Sequence, residues 1–286
     1  MNSNGRKTSL IPLFWRLVKK HEWTAAGYVL GWSVVSLLPE SWGRALFRFA
    51  ARRVGGNAQL EKNLTRVLGR PASREEVRRG LESYARYWYE AFALHKIVPD
   101  TLTIEGINNL DRDRGAIITL THSGNWDLAG VALVLEVGGF STVAEHLQPE
   151  ELYQAFVSYR EELGFTVYPH DSHPLTNLEK DVSRGSVVAM MGERDLKGRG
   201  VVVSFFGEAA TFPAGPAVLA QRTGAPLHVA DVYFTGSGWG LSLRPAIPVT
   251  TVEETTQRIA DEFEETLSAH PTDWHMLQPV WLADRT

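Results

Sequence analysis

A chain of 286 residues, 44% hydrophobic and 22% charged, is long enough for a large core and has the composition of a folded globular protein rather than a disordered or fibrous one. It contains no cysteine, which excludes disulfides, thiolate metal sites and a cysteine nucleophile together and fits a cytosol-facing protein. The net charge of −4 hides an asymmetry: residues 1–96 carry 17 Lys and Arg against 7 Asp and Glu, net +10, while 97–286 carry 12 against 26, net −14. The basic part therefore expects an anionic partner, lipid headgroups or nucleic acid.

Residues 1–8 read as a disordered polar leader. A helix begins at Ser9, with Leu10, Leu13, Phe14, Leu17 and Val18 on one stripe and Arg16, Lys19 and Lys20 among the other positions. This is the layout either of a helix lying in a membrane interface or of an ordinary surface helix packed on a core. An uncharged run follows from Trp23 to Pro39. It is shorter than the roughly 20 residues a spanning helix needs, so it reads as buried or dipping into one leaflet. No small-residue cleavage site follows, which argues against a signal peptide.

Helices are expected over 44–54 and 57–68, separated by Gly55-Gly56 and closed by Gly69-Arg70-Pro71. Ser73 with Glu76 forms a capping box for a long helix to about Lys96. Its second half carries Tyr84, Tyr87, Trp88, Tyr89 and Phe92, which the spacing assigns to a packing face. Basic helices without a recognised nucleic-acid module, next to an uncharged run, favour lipid over nucleic acid.

From about residue 101 the pattern becomes alternating strands and helices. Strands are expected over 101–105, 115–121, 140–144, 165–168, 186–191, 201–206, 227–234 and 241–246, and helices near 126–137, 149–163, 174–184, 213–223 and 251–269. Such alternation predicts an α/β fold: a mostly parallel central sheet flanked by helices on both faces, preceded by an N-terminal helical membrane-associating segment. The whole chain, 1–286, is expected to form a single domain, with 1–96 as its basic helical part and 97–286 as its α/β part. Ligands in such sheets gather beyond the carboxyl ends of strands.

The stretch with the most chemistry is Thr121-His122-Ser123-Gly124-Asn125-Trp126-Asp127, at the junction between the apolar strand 115–121 and a helix capped by Ser123 or Asn125. Across this turn the Asp127 carboxylate can accept from one imidazole nitrogen of His122, leaving the other lone pair to take a proton. Free N–H groups at the helix start could stabilise an oxyanion. Two further carboxylates follow strand ends. Glu145 comes directly after 140–144, and Glu193, in Glu193-Arg194-Asp195, follows 186–191, where it could bind an acceptor hydroxyl or pair with the imidazole. Arg160, Arg199 and Arg222 are candidates for phosphate contacts.

Other patterns carry less. His170-Asp171-Ser172-His173 has no further ligand at helical spacing, so no metal site is expected. Gly236-Ser237-Gly238-Trp239-Gly240 reads as a hairpin turn, and the Gly-x-Ser-x-Gly, zinc-protease and P-loop signatures are absent.

The His-x-x-x-x-Asp block resembles that of membrane acyltransferases. Across nearly its whole length the chain resembles the phosphatidylinositol mannoside acyltransferases, within the wider group that includes the lipid A late acyltransferases. The resemblance rests on Leu81-Glu82-Ser83-Tyr84-Ala85-Arg86-Tyr87-Trp88, on the His122 block, and on Thr142-Val143-Ala144-Glu145. It extends through Tyr159-Arg160-Glu161, Glu193-Arg194-Asp195-Leu196, Phe205-Phe206-Gly207-Glu208, Pro213-Ala214-Gly215-Pro216-Ala217 and Asp273-Trp274-His275-Met276-Leu277-Gln278-Pro279.

The resemblance implies transfer of a long-chain acyl group, typically palmitoyl, from coenzyme A to a mannose 6-hydroxyl of a phosphatidylinositol mannoside. Transfer would occur at the cytoplasmic face of the plasma membrane, with no permanently bound cofactor. It implies His122 as base with Asp127 as its partner, Glu193 and Glu145 as further acidic site residues, and Arg160 at the donor site with His122. Arg199 and Arg222 lie near the expected coenzyme A path. Where glycerophosphate acyltransferases carry Phe-Pro-Glu-Gly, this chain has Phe212-Pro213-Ala214-Gly215, which counts against a glycerol-phosphate acceptor. The rivals are a related glycolipid or lipid A-type acyltransferase, with either acyl-coenzyme A or an acyl-carrier protein as donor, and a membrane lipid-binding protein without catalysis. An acidic carrier protein would need a basic docking face, and the region holding the site is net acidic.

Overall fold

The computed structural model describes residues 10–285 except 54, 97–101, 112–113, 196–197 and 237; the polar leader expected over 1–8 therefore lies outside the described residues. The first strand, β1, is Leu102–Glu105, and the most interior, β2, is Ala116–Leu120, every residue of which is buried. The others are β3 Phe140–Ala144, β4 Phe165–Pro169, β5 Val187–Met191, β6 Val201–Phe205, β7 Glu208–Phe212, β8 Leu227–Thr235 and β9 Gly238–Leu243. Seven of these form one sheet in the order β1-β9-β8-β2-β5-β3-β4, while β6 and β7 form a separate antiparallel hairpin. Every neighbouring pair in the large sheet is parallel except β8 with β9. The expected mostly parallel sheet is present.

The period-2 geometry of strands divides the interior into two cores. Ile117, Val188, Met190, Leu227 and Val229 face one, covered by helices α8 Leu175–Ser183, α9 Gly215–Thr223 and α10 Val252–Ala269. Ile118, Leu120, Ala189, Ala230 and Val232 face the other, under α6 Trp126–Val137 and α7 Glu150–Glu162. Helices thus cover both faces, which is why β2 and β5 read as continuous apolar runs rather than alternating ones.

Among the described residues the N-terminal part holds five α-helices: α1 Leu10–Lys19, α2 Trp23–Val35, α3 Glu40–Arg53, α4 Ala58–Leu68 and α5 Arg74–Ala93. Asn57 caps α4 and the Ser73–Glu76 capping box opens α5, whose last turn tightens into a 3₁₀ turn, Leu94–Lys96. The uncharged run from Trp23 is neither wholly buried nor a span. Its helix ends at Val35, buries Ala25, Ala26, Val29, Trp32 and Val35, and leaves Trp23, Leu30 and Val34 exposed. Trp32 stacks on Phe156 of α7 at 5.0 Å, tying this part to the sheet layer. Among the described residues no helix is long and apolar enough to cross a membrane.

Three local expectations are corrected. α3 starts at Glu40 rather than Arg44, because Pro39 presets the backbone just before the first turn. The hairpin expected at 236–240 is present, with β8 antiparallel to β9, but its turn is shorter: Gly238-Trp239-Gly240 already belong to β9, where Leu102 pairs with Trp239 and Gly240 admits the Tyr233 ring at a distance no Cβ would tolerate. β7 has no counterpart among the expected strands, since Glu208-Ala209-Ala210-Thr211-Phe212 has neither a branched apolar run nor clean alternation.

Candidate active site

β2 and β5 run parallel with Leu120 opposite Met191, so two residues beyond each strand His122 and Glu193 arrive side by side. Gly192 carries the ladder one step further, its N–H donating to the Leu120 carbonyl, and a Cβ there would lie 2.2 Å from the Thr119 hydroxyl. Only a residue without a side chain lets Glu193 come this close to β2. Gly124 has the same necessity on the other side, with φ +58° and a hypothetical Cβ 2.6 Å from the Val232 carbonyl.

The imidazole Nδ1 of His122 lies 2.9 Å from Glu193 Oε1, and the His122 main-chain N–H donates to the same oxygen at 2.6 Å. The Trp274 indole N–H adds a third, longer contact at 3.4 Å. Glu193 is fully buried. Burial pushes its carboxyl up, but the His122 charge and the two hydrogen bonds from His122 outweigh burial and hold it below the usual glutamate value. An ionised carboxylate only accepts, so Nδ1 must carry a proton, and in the neutral ring Nε2 is then the nitrogen with the lone pair. The partly buried His122 ring borders a cavity of about 910 Å³.

The expected His122–Asp127 pair does not form. Asp127, in the first turn of α6, is instead held by Arg160 of α7, whose Nε and Nη2 donate at 2.8 and 3.2 Å, and by the Tyr87 hydroxyl of α5 at 3.1 Å. The reason is geometric: Nδ1 is already taken by Glu193, while the first turn of α6 faces α5 and α7. Burial works against the Arg160 charge, yet Asp127 more than offsets it and raises the guanidinium above its ordinary value. Tyr87 is pushed well up, by burial first and then by Asp127. Asp127 therefore clamps the loop that carries His122 to two helices. Asn125 performs the capping, accepting from the Leu128 N–H at 2.9 Å.

The cavity has two ends. Glu145, Arg160, Arg194, Arg199 and His275 join His122 and Asp127 at the polar mouth, and Ile118, Leu133, Phe140, Phe165, Leu241 and Leu243 line the apolar interior along the sheet beneath α6. Glu145 is exposed and paired with Arg194 at 3.0 Å, away from the imidazole. Arg199 is exposed at the mouth. Arg222 is not brought there: it closes α9, which leads into the amino end of β8, and it binds Glu179 at 2.7 Å. A residue at that end of the sheet cannot share a site with groups at the carboxyl edge.

Residues from outside the expected set complete the mouth. Tyr84, Tyr87 and Trp88 of α5, assigned above to packing, line the cavity, and Trp126 stacks on Tyr87 at 3.8 Å between ring centres. The segment around Trp274 crosses the site, bridging Ser123 and sending the His275 N–H to the His122 carbonyl at 2.8 Å. The cluster at His170 and His173 holds no metal-like constellation; among the described residues there is no group of three or more potential ligands.

The family model described as bacterial lipid A biosynthesis acyltransferase matches residues 13–283. The chain belongs to that family. It is 44% identical over 281 residues to the phosphatidylinositol mannoside acyltransferase of Mycolicibacterium smegmatis, covering 91% of this chain and 92% of that one. It is 46% identical over 278 residues to the protein of the same name from Mycobacterium tuberculosis, covering 90% and 88%. Among solved structures, the 1-acyl-sn-glycerophosphate acyltransferase PlsC of Thermotoga maritima aligns over 79% of this chain and 95% of its own, at 15% identity and a TM-score of 0.40. In this member of the family an imidazole of fixed orientation borders a cavity with a polar mouth and an apolar interior.

Proposed function

We propose that this acyltransferase moves a long-chain acyl group, palmitoyl or near it, from coenzyme A to the 6-hydroxyl of a mannose in a phosphatidylinositol mannoside. The observation that carries the reading is the His122–Glu193 pair at the polar mouth of an otherwise apolar cavity, and the name borne by relatives at 44 and 46% identity supports the acceptor. In this reading the acyl tail occupies the interior beneath α6. Nε2 of His122 takes the proton of the sugar hydroxyl as its oxygen attacks the thioester carbonyl. The proton then passes to the departing thiolate, and no acyl-enzyme forms. Glu193 keeps the tautomer and supports the imidazolium. Asp127 holds the loop.

Two of the five N–H donors of Arg160 are committed to Asp127, so it contributes to the donor site only through those that remain. Arg194 and Arg199, at the mouth, are the cations placed to meet coenzyme A phosphates, with Glu145 positioning Arg194. Ile11, Trp15, Trp23, Trp42, Leu46 and Phe49 are exposed on α1–α3 beside Arg16, Lys19, Arg48, Arg52 and Arg53, a combination suited to the surface of an anionic bilayer. The enzyme would thus act peripherally, on the cytoplasmic face.

The test is mass spectrometry of the products formed by purified protein from palmitoyl-coenzyme A and a panel of mannosylated and unmannosylated phosphoinositides, alongside thiol release. The expected product is a mono-acylated mannose on mannosylated lipid only, lost in His122→Ala. Equal acylation of unmannosylated lipid, or full transfer by a folded His122→Ala protein, overturns the reading.

A further inference from the structure

One buried group at the mouth has no role in the mechanism above. His275 is buried, only 6% exposed, and borders the cavity beside His122. Its Nε2 lies 2.9 Å from the Ser83 hydroxyl, and that hydroxyl donates its single proton to Asp273 Oδ1 at 2.8 Å. The other Asp273 oxygen accepts the Phe234 N–H at 2.8 Å, so both carboxylate oxygens act as acceptors. With its proton given to Asp273, Ser83 can only accept from the ring. His275 is thereby held as the Nε2–H tautomer, with Nδ1 a bare lone pair. No described group bonds that Nδ1.

A buried acceptor without a partner is costly to keep and is satisfied when a ligand donor arrives. The ring does not escape by protonation: burial first, then the charge of His122, push it down to about 3. Tyr84 at 5.4 Å and Trp126 at 5.9 Å between ring centres give the same bay an aromatic wall, which suits the C–H face of a sugar beside its hydroxyls.

We propose that His275 binds the acceptor, its Nδ1 accepting a hydrogen bond from a sugar hydroxyl other than the one being acylated, and that Asp273 and Ser83 hold it in the tautomer this requires. This rests on the sugar-acceptor reading above. The assignment separates two histidines that chain position alone would not distinguish. Glu193 leaves His122 with a free Nε2 that takes a proton, and the Ser83 relay leaves His275 with a free Nδ1 that only receives a hydrogen bond.

The test uses the full chain and a set of mannosylated phosphoinositides each lacking one sugar hydroxyl. His275→Phe, which keeps the ring but not the nitrogen, is expected to raise the KM for the acceptor roughly tenfold while the KM for palmitoyl-coenzyme A stays within about twofold. One deoxy acceptor should show the same loss with the wild-type protein and no further loss with His275→Phe. His275→Asn, which returns an acceptor near the Nδ1 position, should recover part of the affinity. Nitrogen-15 NMR of the folded protein should find Nδ1 unprotonated at neutral pH, and Ser83→Ala should mix the tautomers. An unchanged acceptor KM, losses that add for every deoxy acceptor, or a ring protonated on Nδ1 overturns the proposal. A wild-type protein that acylates no mannosylated lipid overturns the acceptor reading, while the NMR arm still reports on the tautomer.

Discussion

Glu193 Oε1 accepts from His122 twice, from the ring at 2.9 Å and from the main chain at 2.6 Å, so one carboxylate oxygen fixes both where the histidine sits and which nitrogen holds its proton. Glu193→Gln keeps the size but offers an amide that can donate to Nδ1 as readily as accept from it. The wrong tautomer then presents a protonated Nε2 to the substrate. kcat should fall about 10²- to 10⁴-fold, with KM for either substrate changed less than about threefold. Thiol release under saturating substrate checks this, and a kcat within about fivefold of wild type would remove Glu193 from the mechanism.

Asp127 should behave differently, because its partners are Arg160 and Tyr87 rather than the imidazole. Asp127→Asn leaves a partly buried guanidinium without its counter-charge, a cost on the order of 2–3 kcal/mol. Urea unfolding should show that loss together with the fall in activity. Adding Arg160→Met to remove the stranded charge should return much of the stability. If Asp127→Asn unfolds at the wild-type midpoint while kcat collapses, the clamp is the wrong description and direct participation in catalysis is favoured.

This contrast also marks how far the sequence could be read. The strand, turn and helix around His122 are local: an apolar run, a glycine, a capping asparagine. Their boundaries were legible within a residue or two. The partner of His122 is 71 residues away, and choosing Glu193 over Asp127 needs the register of β2 against β5, which spacing along the chain does not encode. The position of Arg222 is hidden for a related reason, since chain order does not say which edge of the sheet a helix end will reach. The aromatic stripe of α5 looks like packing in the sequence because helical spacing shows which residues share a face but not whether that face meets solid core or a cavity. His275 was visible only as part of the family resemblance. Its proximity to His122 depends on a C-terminal segment folding back across the motif.

A pH effect on stability follows from Asp231, buried on β8 and 3.7 Å from His270. Burial, reinforced by the charge of Asp273, pushes its carboxyl from an ordinary value of 3.8 up to about 7. Between those values the folded protein holds a proton that the unfolded chain has lost, so stability declines as pH rises through the window and the full penalty applies above it. Asp231→Asn removes the penalty. The variant should match wild type near pH 4 and exceed it by about 1–2 kcal/mol near pH 8, less than the limit of about 1.4 kcal/mol per pH unit because protein and solvent relax around the charge. Urea midpoints at the two pH values decide it: an equal difference at both would mean that Asp231 is not protonated in the folded state.

The N-terminal helices carry the last prediction. Trp42, Leu46 and Phe49 recur on one face of α3 and are 70%, 51% and 55% exposed, large apolar groups that packing leaves uncovered. Arg48, Arg52 and Arg53 lie on the same helix, so apolar insertion and charge attraction should act together on an anionic bilayer. Replacing Trp42, Leu46 and Phe49 together by Ser removes the first contribution and leaves the second. Sedimentation with vesicles containing phosphatidylinositol should show binding at least about tenfold weaker and dependent mainly on salt, whereas wild-type binding should keep a salt-resistant part. Acyl transfer should then fall for acceptor in vesicles and stay near wild type for a short-chain, water-soluble acceptor. Loss of both activities to the same degree would mean that this face supports the fold rather than the membrane contact.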